Sequence, residues 1–339
     1  MAVTVRRTEF DNFEALQNIM QDGHSEVVPV GNGRLTGALN HVEVTPTFGM
    51  SNGAFSRGVR LRGITSAHRW MIGMVLNTNG PATVQQQEMM AGDLLMVAPG
   101  QERYSIYRGE TDFAAMLVTP DELQAHLASE RAALDLQVWR QPVSVLRTDR
   151  VTAAENIRQL SMLSKAMADD SLPEQTADFY RRNMLELLTS AATKGLPYHG
   201  PLRPAIRLVR DVDQYLTEAG NRPIHVSELC EQFNVPRRTL FHAFEAVLGM
   251  PPISFLRHKR LAHVHTALLR AGPGALVRAI AVAHGFLDQS HFIGQYRRLF
   301  GELPSQTIRR AACSLHVVWI ATLVGFGAVT DQASLLQML

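Results

Sequence analysis

Between residues 284 and 304 the chain reads HGFLDQSHFIGQYRRLFGELP. Phe292, Tyr296, Leu299 and Phe300 fall on one helical stripe there, with Ser290, Gly294, Arg297 and Arg298 roughly opposite. The same pattern occurs once before. Leu240, Phe244, Val247, Leu248, Gly249 and Pro252 precede Phe292, Tyr296, Leu299, Phe300, Gly301 and Pro304 by 52 residues each. One step upstream, Val226, Leu229, Cys230, Asn234 and Val235 precede Val277, Ile280, Ala281, Gly285 and Phe286 by 51. The extra residue of the second copy is most simply placed in its turn, around Leu287. Each copy therefore predicts a short amphipathic helix, a turn at a residue type that tolerates positive φ, and a second amphipathic helix stopped by Gly and Pro.

Residues 1 to about 145 have a different texture. Short apolar runs such as WMIGMVLNTNGP, AGDLLMVAPGQ and DFAAMLVTP are cut by Gly, Pro, Asn and Asp, which predicts the strands of a sandwich or small barrel. From Val151 the period becomes helical. Ile157, Leu160, Leu163 and Met167 mark one helix, Leu172-Pro173 breaks it, and Phe179, Met184, Leu187 and Leu188 mark the next. Two such helices can pack antiparallel and still leave an apolar stripe for a second chain. KGLPYHGPLRP, residues 194–204, reads as a linker, and the chain from Arg203 to about Arg310 reads as helical.

Composition adds little until it is divided. An apolar share of 46% and a charged share of 19% in 339 residues describe a folded protein of two ordinary domains. The net charge of +2 hides an asymmetry: residues 201–310 hold 15 Arg and Lys against 8 Asp and Glu, and the rest of the chain holds 18 against 23. A basic region joined to an acidic one points to a polyanion partner for the first. Cys230 and Cys313 form neither a disulfide framework nor a CxxC pair, and the first residues lack a signal-peptide core, so a cytoplasmic location is expected.

In both copies the polar flank of the second helix fits a major groove. In the first it carries Arg237, Arg238, Thr239 and His242. In the second it carries Gln289, Ser290, His291, Gln295, Arg297 and Arg298. PPISFLRHKRLAHVHTALLRA connects them, a helix of about 30 Å at 1.5 Å per residue. That is on the scale of one DNA turn, and Arg257, Lys259 and Arg260 on it are placed to approach phosphate.

These residues resemble the DNA-binding domain of AraC-type transcription regulators. The most specific part is Ala-x-x-x-Gly-Phe, then Ser290-His291-Phe292, then Tyr296-Arg297-Arg298-Leu299-Phe300-Gly301 and Pro304-Ser305. The resemblance is strong over about 110 residues; MAGDLLMVAPGQE is similar to the Gly-Asp and Pro-Gly turns of cupin-like sensor domains. The connector, Arg260-Leu261 then Leu268-Leu269, looks closest to ethanolamine-operon activators. The resemblance implies an α+β protein: an N-terminal β-rich cupin-like barrel with a helical pair (1–145 and 146–195), then an all-α domain with two helix-turn-helix motifs (196–310). One departure is Gly294, where many members carry a long polar residue. The first copy is therefore expected to supply more of the specificity.

The implied partners are double-stranded promoter DNA, a second copy through the helical pair, a small-molecule effector in the β-rich half, and RNA polymerase as a further candidate. His68, Trp70, Tyr104 and Tyr107 are the candidate effector-lining residues. No cofactor, metal or catalytic residue is expected. His263 and His265 point apart on a helix, and the N-terminal histidines lack the cupin metal arrangement. Cys230 fits a small packing residue, which argues against the DNA-repair methyltransferases that share this kind of module. The rival reading is a cupin-type metal-dependent enzyme with a helical oligomerisation domain. Residues 311–330 contain no Asp, Glu, Lys or Arg. That meets the length of a membrane span, although insertion is not the expectation for a tail following a DNA-binding domain.

Overall fold

The computed structural model describes residues 3–13, 16, 25–128, 137–169, 172–197, 204–220, 222–271 and 274–311. The linker centre, 198–203, and the apolar tail from residue 312 lie outside the described residues. The chain divides into two compact units, residues 1–259 and 260–339.

The alternating N-terminal runs form antiparallel sheets. Strands β1 (Thr4–Phe10), β3 (Gly37–Thr45), β4 (Phe48–Phe55), β6 (Trp70–Thr78), β9 (Leu94–Val97), β11 (Thr111–Val118), β12 (Val143–Arg147) and β13 (Leu196–Pro197) build one sheet, in the order β1-β3-β4-β11-β6-β9-β12-β13. Strands β2 (Ser25–Pro29), β5 (Val59–Ile64), β7 (Ala82–Val84), β8 (Gln87–Met89) and β10 (Glu102–Tyr107) build the other, in the order β2-β5-β10-β7-β8. The period of two is visible on β3, where Val42 and Val44 are buried and His41 and Glu43 half-buried.

A short helix α1 (Pro120–Leu127) and two long ones, α2 (Arg150–Met167) and α3 (Glu174–Lys194), follow the strands. Leu160 and Met167 of α2 and Met184, Leu185 and Leu188 of α3 share a core with Val42, Met50, Ile72, Met96 and Met116 of the larger sheet. α2 comes so close that a Cβ on Gly92, whose φ is +89°, would lie 2.6 Å from the Cβ of Ala153. Of the apolar positions expected on this pair, Phe179 does not join the core; it is 60% exposed, with Met162 and Val151 also outward.

The repeat folds in parallel ways. α4 (Pro204–Glu218) leads into α5 (Val226–Gln232) and α6 (Arg237–Leu248); α7 (Pro252–Arg270) connects to α8 (Val277–Ala283) and α9 (Gln289–Phe300), and residues 304–311 are helical again. Asn234 and Gly285 turn the chain at φ +48° and +82°, and Gly249 and Gly301 end the second helices at +67° and +75°. The turns are closed alike, by Val235 N–H to Cys230 O at 3.0 Å and Phe286 N–H to Ala281 O at 2.9 Å. α6 begins three residues after Asn234 and α9 four after Gly285, so the additional residue lies in the second turn.

A break between β-rich and helical halves near residue 196 is not how the chain divides. Val28, Tyr104 and Ile106 of the smaller sheet, with Val30 just after β2, share one core with Val209 and Val212 of α4, Leu240 and Phe244 of α6 and Phe255 of α7. The first helix pair therefore belongs to the same unit as the sheets.

Candidate nucleic-acid interface

Leu240, Ala243, Phe244, Val247 and Leu248 bury one stripe of α6. That leaves Arg237, Arg238, Thr239 and His242 exposed on the other flank. Arg238 Nε donates to His242 Nε2 at 3.3 Å, and the Arg237 guanidinium lies 5.2 Å from the centre of the Phe241 ring. The flank presents donors on a helix whose opposite stripe is packed into the core.

α9 repeats the plan inside its own unit. Phe292, Tyr296, Leu299 and Phe300 are buried. Tyr296 donates to or accepts from Thr307 Oγ1 at 2.7 Å and bonds His265 Nδ1, and the His265 ring stacks on Phe300 at 4.2 Å. Ser290, His291, Arg297 and Arg298 are exposed, and Gln289 and Gln295 half-buried. Asp288 caps the helix by accepting from His291 N–H at 3.0 Å, Gln289 Nε2 donates to Phe286 O at 3.4 Å, and Gln295 is hydrogen-bonded to His291. A Cβ on Gly294 would meet nothing within 4 Å, so the gap in this flank is open space.

The connector departs from the sequence reading. Arg257 and Arg260 are half-buried, the Arg260 guanidinium 5.6 Å from the centre of the Phe286 ring. Lys259 points inward instead of toward phosphate. It is 3% exposed, and its ammonium donates to Asp213 Oδ1 at 2.6 Å, Asp213 O at 3.1 Å and Thr217 Oγ1 at 2.6 Å. Burial pushes its pKa down and Asp213 opposes that shift. The phosphate-contacting role expected of Lys259 is corrected accordingly: the charge is already spent inside the protein.

Lys259 belongs to a buried ion cluster. Arg60 of β5, fully buried, donates to Glu26 Oε2 of β2 at 2.9 Å and to Asp213 Oδ1 at 3.2 Å, with its Nε 3.1 Å from Asp213 Oδ2. Burial works against the Arg60 charge, but Asp213 and Glu26 beside it hold its pKa above the ordinary value. Burial and Asp213 both raise the Tyr104 phenol. Two more bonds join sheets and helices: Arg108 Nε donates to Val247 O at 3.0 Å, and His258 Nδ1 lies 3.1 Å from Pro29 O, an acceptor only, so Nδ1 carries the proton. Sequence reasoning missed this cluster. One signal was available, since Asp213 lies on the same stripe of α4 as Ile206, Val209 and Leu216, where a carboxylate needs a buried partner.

The four aromatic and imidazole side chains expected to line an effector cavity are not brought together. Trp70 packs edge-on against Trp139 in the core beneath α2 and α3, Tyr104 lies in the core shared with α4 and α6, Tyr107 packs on Phe55, and His68 is exposed. A strand's alternation assigns a side chain to a face of its sheet but not to a cavity on that face. Among the described residues no group of three or more His, Cys, Asp and Glu could hold a metal ion, and no single helix is long and apolar enough to cross a membrane.

Comparison with known proteins places this geometry. A helix-turn-helix domain family matches residues 229–310. Over 241 residues, 67% of this chain and 70% of the relative, the protein is 27% identical to the XylDLEGF operon transcriptional activator of Pseudomonas putida. Over 86 residues, 25% of this chain and 30% of the relative, it is 34% identical to the HTH-type transcriptional activator RhaS of Pectobacterium atrosepticum. Among solved structures, the AraC-like transcriptional activator CuxR overlaps 76% of this chain and 94% of its own, at 11% identity and a TM-score of 0.42. The segment that carries both exposed helix flanks thus matches a helix-turn-helix domain family, in a chain similar over two thirds of its length to a bacterial operon activator.

Proposed function

We infer that the protein is a sequence-specific DNA-binding transcription regulator whose two helix-turn-helix motifs present α6 and α9 to the major groove. One observation carries this: in each copy the stripe that repeats at 52 residues is buried, and the flank between its residues is polar and exposed. Arg237, Arg238, Thr239 and His242 read base edges on α6, and Gln289, Ser290, His291 and Gln295 do so more loosely on α9. Arg257, Arg260, Arg297 and Arg298 approach phosphate, while Lys259 is left out of the set.

The N-terminal sheets, as a cupin-like barrel, serve as the effector-responsive part, without assignment of the effector to His68, Trp70, Tyr104 or Tyr107. The buried cluster of Glu26, Arg60, Asp213 and Lys259 supports a mechanical route from those sheets to the first motif, because it ties β2 and β5 to α4 and α7. Homodimerisation through α2 and α3 is supported by the outward Val151, Met162 and Phe179. The relatives named as operon activators support activation, with RNA polymerase as partner and the cytoplasm as location. The connector's likeness to ethanolamine-operon activators stands as a finer reading.

Gel-shift titration of promoter fragments at two salt concentrations tests this. Affinity for a specific fragment should fall steeply with salt, as phosphate contacts release counterions. No retardation at low ionic strength on fragments from its own operon would overturn it.

A further inference from the structure

The two helix pairs match in their buried stripes and differ on the outer face of their first helices. In the first copy that face is polar: His225, Glu228, Glu231 and Gln232, with His225 capping α5 through Ser227 N–H. The residues at the same places 51 positions on are Leu276, Ala279, Val282 and Ala283. They run along one side of α8; Leu276 is 74% exposed, Val282 44%, and both alanines are exposed. Leu276 occupies the cap position of α8 and makes no side-chain cap bond, so an apolar residue stands where a polar one caps the first copy.

We propose that this apolar face of α8 is the docking site of the chain's own C-terminal segment, residues 312–330. The segment has no Asp, Glu, Lys or Arg and carries Val317, Trp319, Ile320 and Leu323. Its starting point is fixed in the same unit, because helix 304–311 is tied to α9 through Thr307 and Tyr296. Reach is no obstacle: even ten extended residues span about 33 Å, against a radius of gyration of about 10 Å for a body of this size. The chemistry selects the face. On α9 an uncharged segment would strip water from Arg297 and Arg298, whereas Leu276, Ala279, Val282 and Ala283 cost no desolvation. Each apolar surface removes the other from water, and the exposed groove flank of α9 stays uncovered.

Hydrogen exchange on the full chain, without DNA, tests the docking from both sides. Ile320→Asp with Leu323→Asp should speed exchange in α8 about tenfold and leave α5 and α9 unchanged. Val282→Glu, which installs the residue type of the first copy, should speed exchange in peptides covering 315–324 while the Tyr296 region of α9 stays protected. Unchanged α8 exchange in the tail variant, or unchanged tail exchange in Val282→Glu, overturns the proposal. Protection of α8 that rises with protein concentration would assign the face to a second copy, and protection of 315–324 that appears only with phosphatidylcholine vesicles would assign the segment to a lipid surface; either result also overturns it.

Discussion

The two helix pairs carry one pattern on two kinds of foundation. The first is built into the sheets: its core includes Val28, Val30, Tyr104 and Ile106, and the ion cluster around Arg60 and Asp213 locks α4 and α7 to β2 and β5. The second is supported within residues 260–311, where Phe292, Tyr296 and Phe300 gather around His265 and Thr307. The same amphipathic code thus makes one motif answerable to the N-terminal half and the other self-contained. The flanks differ in the same sense. α6 has Arg238 and His242 where α9 has Ser290 and Gly294, so the motif that shares a core with the proposed sensor also holds the longer readers.

The contrast breaks most sharply at the cluster. Arg60→Ala leaves the buried Asp213 with Lys259 as its remaining cation and should cost about 3 kcal/mol. Urea unfolding followed by hydrogen exchange should show the loss in the sheets and α4–α6, while α8 and α9 keep their protection. Lys259→Ala should lower stability in the same region without reducing the salt slope of DNA binding, whereas Arg257→Ala should reduce that slope by about one.

On the groove flank, Arg238→Ala should cost about 1–3 kcal/mol at the preferred site and relax base choice there. Competition gel shifts against single-base variants of the operator would measure it. Replacing Ser290 should cost less, which sharpens the division between the copies.

Acid should act on the first foundation through His258. Burial, helped by the nearby Arg257 charge, lowers the His258 pKa below 6.5, although the bond to Pro29 O opposes the shift. The folded state then prefers the neutral ring, so stability is unaffected above pH 6.5 and falls as pH drops below it toward the lowered pKa. His258→Gln should flatten that part of a melting-temperature profile. The smallest effect is a gain: Gly294→Ala meets open space and should stabilise α9 by about 0.5–1 kcal/mol, read by thermal unfolding.

Much of the DNA-binding part is legible because it repeats. Positive φ at Asn234 and Gly285, the stops at Gly249 and Gly301, and the burial of the stripe from Leu240 to Leu248 all follow from spacing and residue type. The direction of Lys259 does not. Phe255, Leu256, His258, Lys259 and Leu261 are all buried, so α7 is covered nearly all round there and no periodic polar face says which basic residue turns inward. The aromatics of the β half escaped for a related reason, since the layer that covers a sheet face comes from helices distant in the chain, as Tyr104 against α4 and α6 illustrates.

The amino-acid sequence by itself determined the local elements and which flank of α6 and of α9 stays polar, because helical period, turn chemistry and capping act over a few residues. Only the tertiary structure decided that the first motif shares a core with the sheets, and that Lys259 closes a buried ion cluster with Asp213, Arg60 and Glu26. Those choices depend on which distant surfaces meet, and a buried charge declares its partner only when the chain has brought it there.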